Sequence, residues 1–345
     1  MHAHRRPDHE RRVSPAPVAA ARTTKDLPPV TASATNLATA LRRFAVQDWC
    51  MVGFVVVLLL AVISGSGPDR ATCIRYATID VVGVFLALLV VRAELLRGTA
   101  AALLYRLTIF GAVLGTFFQL KTILPEVSSR LVDGQLFAFD MALFHYEPAV
   151  AWDRFVTPAT TEWFAFFYYG YFFLLGAHAL PFAFIVKHRK VQLAEFGLGI
   201  VMIFCTAHLV YMVVPGYGPY RYLADQFTNR LEGGLWWRLV NETVAAAGSQ
   251  KDIFPSLHTC APTFLALFSF RHRKTLPFKY TWPFTAFFAS QMVLATMFLR
   301  WHYLVDICAG LTLAIVATLV GSRIVRWERE RREREGLGPV WIDLY

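Results

Sequence analysis

The chain has 345 residues, 56% of them hydrophobic and 15% aromatic, with only 17% charged. Soluble domains carry about 25% charged residues, so this composition excludes an ordinary pair of aqueous domains. The net charge of +10 raises a nucleic-acid partner, but the cations gather at particular connections between apolar runs rather than along one binding face, which argues against that class.

Residues 1–46 are rich in Ala, Pro, Thr and Arg and read as a disordered, basic, cytoplasmic tail with no secretory signal. Beyond it, apolar runs such as Val52–Ile63, Val81–Val91 and Val201–Val214 are too long and too often repeated to share one aqueous core. A membrane span needs about 20 mostly apolar residues. Candidate spans centre near residues 57, 86, 112, 174, 203, 265, 291 and 313. The predicted fold is therefore all-α, a polytopic membrane helix bundle of about eight transmembrane helices.

In chain order, residues 47–98 hold the first two spans and residues 99–326 hold the remainder. Within the latter, residues 125–160 mix Glu126, Arg130, Asp133, Asp140, Glu147, Asp153 and Arg154 with apolar side chains, a pattern that predicts one or two amphipathic helices at the outer interface. Residues 215–256 form the longest polar connection between spans, a length that is usually functional or mobile. Residues 327–345 close the chain as a charged cytoplasmic tail, its first part continuing the last helix as a solvated stretch.

Basic residues crowd the N-terminal tail, the connections around Arg92 and Arg97, Lys187 to Lys190 and Arg271 to Lys279, and the tail beyond Arg323. These are alternate connections, which predicts that both termini are cytoplasmic. The five cysteines form no C-x-x-C pair and no His/Cys cluster, so neither a disulfide framework nor a metal site is expected.

Three short segments carry chemistry, and the span count places all three at the extracytoplasmic face. They are Pro215-Gly216-Tyr217-Gly218-Pro219-Tyr220-Arg221, Phe254-Pro255-Ser256-Leu257-His258 and Arg300-Trp301-His302-Tyr303-Leu304-Val305-Asp306. His302 and Asp306, four apart, share a helix face, so the carboxylate can hold one imidazole nitrogen and leave the other as a nucleophile. Taken alone, such a pair is equally an interfacial His–Asp contact. His258 changes the balance: at the start of an apolar helix it sits beside free N–H groups and the positive dipole end, where an anion is held and a leaving alkoxide can be protonated. Ser256 offers a hydroxyl to the same anion. Arg300, Arg221 and Lys251 are candidate phosphate clamps, each with the plainer alternative of a cation reaching for lipid headgroups. Asp140, His145 and Tyr220 are candidates for the border of the substrate entrance. His178 and His208 lie within spans without a paired carboxylate and are expected to be hydrogen-bonded structural groups.

These motifs resemble those of the type-2 phosphatidic acid phosphatase superfamily, with its P-S-G-H and S-R-x5-H-x3-D signatures. Pro255, Ser256 and His258 match the first, His302 and Asp306 the end of the second, while Leu257 replaces the Gly and Ala295-Thr296 stand in the Ser-Arg slots. Phe-Pro-Ser-Leu-His, His-Tyr-x-x-Asp followed by Ala309-Gly310, and Pro215–Pro219 are similar to the inositol phosphorylceramide synthase-like (inositolphosphotransferase) branch. So is Asp140-x-x-Leu143-Phe144 with Pro148. The resemblance implies a six-helix phosphatase-like core, a phosphohistidine formed on His302, and neither metal nor cofactor. It also implies a phospholipid or other lipid-phosphate donor in the bilayer and an acceptor that is a lipid hydroxyl or water. Oligomeric state is left open. A transporter or a degenerate lipid-binding relative is the alternative class. A carrier would place its charges at a midplane cavity, and degeneracy would remove a triad member, whereas His258, His302 and Asp306 are all present.

Overall fold

The computed structural model describes residues 37–128, 130–185, 189–247 and 251–344, so the tail expected over 1–46 lies outside it except for its last ten residues. The described residues are helical or irregular, with no strand among them. Six stretches are long and apolar enough to cross a bilayer: Val46–Ser64, Arg70–Arg92, Gly98–Val127, Pro158–Leu180, Lys190–Val213 and Leu304–Arg334. The protein is an integral membrane helix bundle. Large apolar side chains such as Leu60, Leu107, Phe118, Phe173 and Phe284 point outward, as lipid-facing residues do.

These stretches comprise α2 (Val46–Ser64), α3 (Arg70–Arg92), α4 (Gly98–Val127), α7 (Pro158–Tyr169) with α8 (Tyr171–Leu180), α9 (Lys190–Val213) and α14 (Leu304–Arg334). Two further segments expected as spans are helices packed inside the same bundle, α12 (Leu257–Arg271) and α13 (Phe278–Phe298). They fall short of the other six for physical reasons. With 15 residues, α12 reaches roughly 22 Å, less than the hydrocarbon thickness of about 30 Å. Ring-bearing polar residues and Pro283 dilute the first half of α13.

A short α1 (Leu37–Arg42) precedes α2, and α5 (Asp133–Phe144) and α6 (Pro148–Ala151) occupy the segment expected to be amphipathic. The long connection 215–256 read as lacking clear structure. It instead carries α10 (Pro219–Tyr222) and the 13-residue α11 (Leu235–Ala247). Trp236, Trp237, Val240 and Val244 recur at helical spacing and pack with Ala165 and Tyr168 of α7, so burial of one face orders a sequence whose polar content hides it. Glu162 of α7 fixes the other requirement: its carboxylate accepts the N–H groups of Gly234 (2.8 Å), Trp236 (2.7 Å) and Trp237 (3.1 Å) at the start of α11.

The end of the chain also departs from a solvated tail. Glu328 and Arg332 of α14 are buried, and residues 335–344 fold back over the bundle. There Arg92 donates to the Val340 carbonyl (3.1 Å), Arg106 to that of Ile342 (2.9 Å) and Thr99 to that of Leu344 (2.7 Å), while Trp341 is 1% exposed. Alternating Arg and Glu made the segment look wet; guanidinium groups 236 and 248 residues earlier in the chain supply the partners that bury it.

Candidate active site

At the end of the bundle opposite to that strap, α12 and α14 begin side by side. Ser256 caps α12, its hydroxyl accepting the Thr259 N–H at 3.2 Å, and its own N–H donates to the Asp306 carbonyl at 3.2 Å. Gly310 permits this approach, since a Cβ there would press on the Ser256 carbonyl. Asp140 of α5 caps α14, accepting the N–H groups of Leu304 (2.6 Å) and Val305 (2.8 Å). Asp133, about two helical turns earlier, accepts from Tyr217 N–H (3.0 Å), Gly218 N–H (2.8 Å) and the Tyr303 hydroxyl (3.1 Å). Gly218 has φ +90°, and a Cβ there would collide with the Trp301 carbonyl, so the Pro-Gly-Tyr-Gly-Pro turn needs this glycine to lie against the histidine turn.

These contacts enclose a cavity of about 110 Å³ into which His258 and His302 both project. Six tyrosines and Trp301 make most of its walls, with Asp252 as the one carboxylate among the described lining residues. The His258 imidazole is sandwiched between Tyr168 (centroids 4.2 Å apart, near-parallel) and Tyr171 (4.5 Å), which fixes its plane. His302 is 4% exposed. Burial pushes its imidazole down to about 4, against the opposing pull of Asp252 and a hydrogen bond to the Ile253 backbone. The ring is therefore neutral at physiological pH, the state in which a lone pair is available to attack.

Asp306 stands behind His302, its Oδ2 3.4 Å from Nδ1. That separation is a polar contact rather than a formed hydrogen bond; Oδ2 instead accepts the Tyr303 N–H at 2.9 Å, and His302 Nδ1 and Asp306 Oδ1 are both buried without a hydrogen-bond partner. Nδ1 faces the carboxylate.

The expected site residues thus divide. His258, His302 and Tyr220 line the cavity and Asp306 backs it. Arg221 is exposed beside it, with its guanidinium 3.8 Å from the centre of the Tyr217 ring. Arg300, Ser256 and Lys251 are not among the lining residues. Arg300 donates to Asp153 Oδ1 (2.6 Å) and the Asn229 carbonyl (2.6 Å) and lies 3.9 Å over the Phe227 ring. Lys251 contributes its carbonyl to Gly216 N–H at 3.3 Å. His145 is exposed at the left-handed end of α5. Asp252 and Trp301 carried no expected role, although each lies within six residues of a motif histidine; only the fold turns them inward.

A family model described as the PAP2 superfamily matches residues 134–320, a stretch that contains His258, His302 and Asp306. The chain belongs to the PAP2 superfamily. Membership identifies a phosphatase-type phosphoesterase, and the matched stretch runs from α5 into α14, leaving α2 to α4 before it. No curated protein and no solved structure matches the chain. Within the PAP2 frame, His258 and His302 are the paired groups of the cavity and Asp306 is the acid behind the second of them.

Proposed function

We propose that this PAP2 protein cleaves a lipid-linked phosphoester and passes the phospho-group to a lipid hydroxyl or to water. The observation that carries the reading is an apolar groove of about 510 Å³ that shares Phe117, Tyr171, Phe172 and Thr243 with the histidine cavity. Its other walls include Leu107, Leu114, Phe118 and Phe184, which are exposed on the lipid-facing surface. Acyl chains buried there gain about 0.8 kcal/mol per CH₂ relative to water, and a phosphate at their end reaches the two histidines.

In the first step His302 Nε2 forms a bond to phosphorus while the bond to the lipid alkoxide breaks, and His258 gives its proton to that oxygen. In the second, an acceptor hydroxyl loses its proton to His258 as its oxygen bonds to phosphorus and the His302 N–P bond breaks. Asp306 stabilises the positive charge on the His302 ring. The first helical turn of α12 and the unpartnered Trp301 Nε1 face the phosphate oxygens.

Reconstituted protein supplied with phosphatidic acid, phosphatidylinositol or a prenyl diphosphate, with and without diacylglycerol or ceramide, separates hydrolysis from transfer by its products. His302→Ala is expected to lower turnover by about 10⁴-fold or more and to lose an acid-labile phosphoprotein; wild-type-like turnover overturns the nucleophile assignment. The bias of basic residues towards alternate connections supports a site on the extracytoplasmic side. Thr228→Cys in a cysteine-free background should react with an impermeant thiol reagent on intact cells, and labelling only after permeabilisation reverses the orientation.

A further inference from the structure

The cavity has an unusual charge inventory for a phosphate site. None of its described lining residues is Lys or Arg, and Asp252 adds a negative charge beside the histidines. A phosphomonoester dianion entering this space would be opposed by that carboxylate with no Lys or Arg in the walls to offset either. A phosphodiester brings only one negative charge, and the α12 dipole end with the Trp301 indole N–H suits a single charge.

The walls also differ from one side to the other. Tyr171, Phe172, Phe117 and Thr243 face both the cavity and the apolar groove, and Tyr171 lies against His258. His258 thus lies between Tyr171, which the groove shares, and Tyr168, which it does not. Tyr217, Tyr220, Trp301 and Asp252 line the cavity but not the groove. There the Tyr220 and Trp301 rings meet with centroids 4.8 Å apart at 54°, while Arg221, which is not among the lining residues, covers Tyr217 and hydrogen-bonds Tyr220. Aromatic faces around a carboxylate attract an organic cation, through the ring quadrupoles and through the charge.

We propose that the Tyr217, Tyr220, Trp301 and Asp252 end of the cavity takes an ammonium-bearing headgroup, so that the donor is a zwitterionic phosphodiester lipid rather than a phosphomonoester. This rests on the lipid phosphoester reading above and names its substrate class. Bound this way, the ammonium neutralises Asp252, the phosphodiester lies between the histidines, and the diacylglycerol oxygen points to His258.

The test uses full-length protein in vesicles containing phosphatidylethanolamine, phosphatidylcholine, phosphatidylglycerol or phosphatidic acid, with diacylglycerol release measured. The two ammonium lipids are expected to exceed phosphatidylglycerol and phosphatidic acid by about tenfold in kcat/KM, and their ratio to each other tells a primary from a quaternary ammonium. Asp252→Asn is expected to cut that preference by about tenfold, mainly through KM. Preference for phosphatidic acid or phosphatidylglycerol, or an Asp252→Asn loss in kcat shared equally by all four lipids, overturns the proposal. Binding of short-chain forms of the same lipids to the His302→Ala protein, followed by tryptophan fluorescence, gives a readout independent of turnover. Ammonium-selective binding weakened by Asp252→Asn supports the headgroup site even where no lipid is cleaved, and unselective binding overturns it. Turnover by His302→Ala would instead remove the underlying reaction.

Discussion

Two buried aspartates at opposite ends of the bundle are treated in contrary ways. Asp48, in the first turn of α2, has both oxygens filled: Oδ1 accepts from Tyr105 (2.6 Å) and Arg92 (3.2 Å), and Oδ2 from Arg92 Nε (2.7 Å) and the Ala45 N–H (2.8 Å). Asp306 is equally buried, yet it holds one backbone N–H, faces an imidazole at 3.4 Å and leaves Oδ1 without a partner. A saturated buried ion pair holds structure together, because removing one member strands the other charge. An under-bonded one keeps its capacity for a proton or a charge that arrives during reaction. The contrast assigns a structural role to Asp48, at the end joined by Arg92, Tyr105 and the C-terminal strap, and the reactive role proposed above to Asp306, beside the unpartnered Thr259, Trp301 and His302 atoms.

The same change at both aspartates breaks this comparison if it is wrong. Asp306→Asn keeps an oxygen for the Tyr303 N–H and removes the charge behind His302, so kcat should fall about 10²–10⁴-fold with the melting temperature in detergent nearly unmoved. Asp48→Asn strands the Arg92 guanidinium and should cost about 3–5 kcal/mol, a drop on the order of 10 °C, with activity per folded molecule near wild type at low temperature. Thermal unfolding and initial rates on the two proteins decide it; an activity loss at Asp48 or a large melting loss at Asp306 inverts the assignment.

The reactive end was legible in part for a reason the contrast makes plain. His302 and Asp306 are four residues apart at one helix start, and Ser256 and His258 sit at another, so local spacing alone brings out the histidines that the fold gathers in one cavity. What surrounds them comes from far away. Asp153 lies 147 residues before Arg300, and Tyr168 and Tyr171 come from α7 and α8, some 90 residues before the His258 they enclose. Arg300 was visible as a cation two residues from His302, but nothing local shows which acid it meets. The helical nature of the bundle followed from apolar run length, while α11 and the strap around Trp341 were hidden because charged residues interrupt the patterns that mark burial.

Arg300 sharpens the division on the reactive side. It ends α13 with φ +67°, a left-handed position where glycine is usual, and its side chain is tied to Asp153, Asn229 and Phe227 rather than to the cavity. As an anchor of the turn that leads into His302, Arg300→Met and Asp153→Asn should each lower activity about tenfold, and the double variant should lose little more than either alone. A direct phosphate contact predicts otherwise: Asp153→Asn would stay active, and Arg300→Met would act on KM for the phosphate donor.

The smallest effect concerns pH. Glu147 caps α6 through Oε1 on the Ala149 N–H (3.0 Å), while its Oε2 is buried without a partner. Burial first, and then the nearby Asp140 and Asp306 carboxylates, push its carboxyl up to about 8 from an ordinary 4.5. Between those two values the folded protein binds a proton that the unfolded chain has released. This contribution to stability is fully present below about pH 4.5 and is lost as pH rises through about 8. Asp140 is raised by burial as well and acts in the same direction, so the wild-type slope contains both groups. Glu147→Gln retains the cap and removes one titration. Its melting temperature should exceed that of wild type by a few degrees, roughly 2–4 °C, at pH 9, with the gap closing towards pH 5. Asp48 lies at the other end of the bundle, far from Glu147, so the gap should persist in an Asp48→Asn background. A wild-type slope retained in Glu147→Gln would show that the unpartnered oxygen at the reactive end carries no proton linkage.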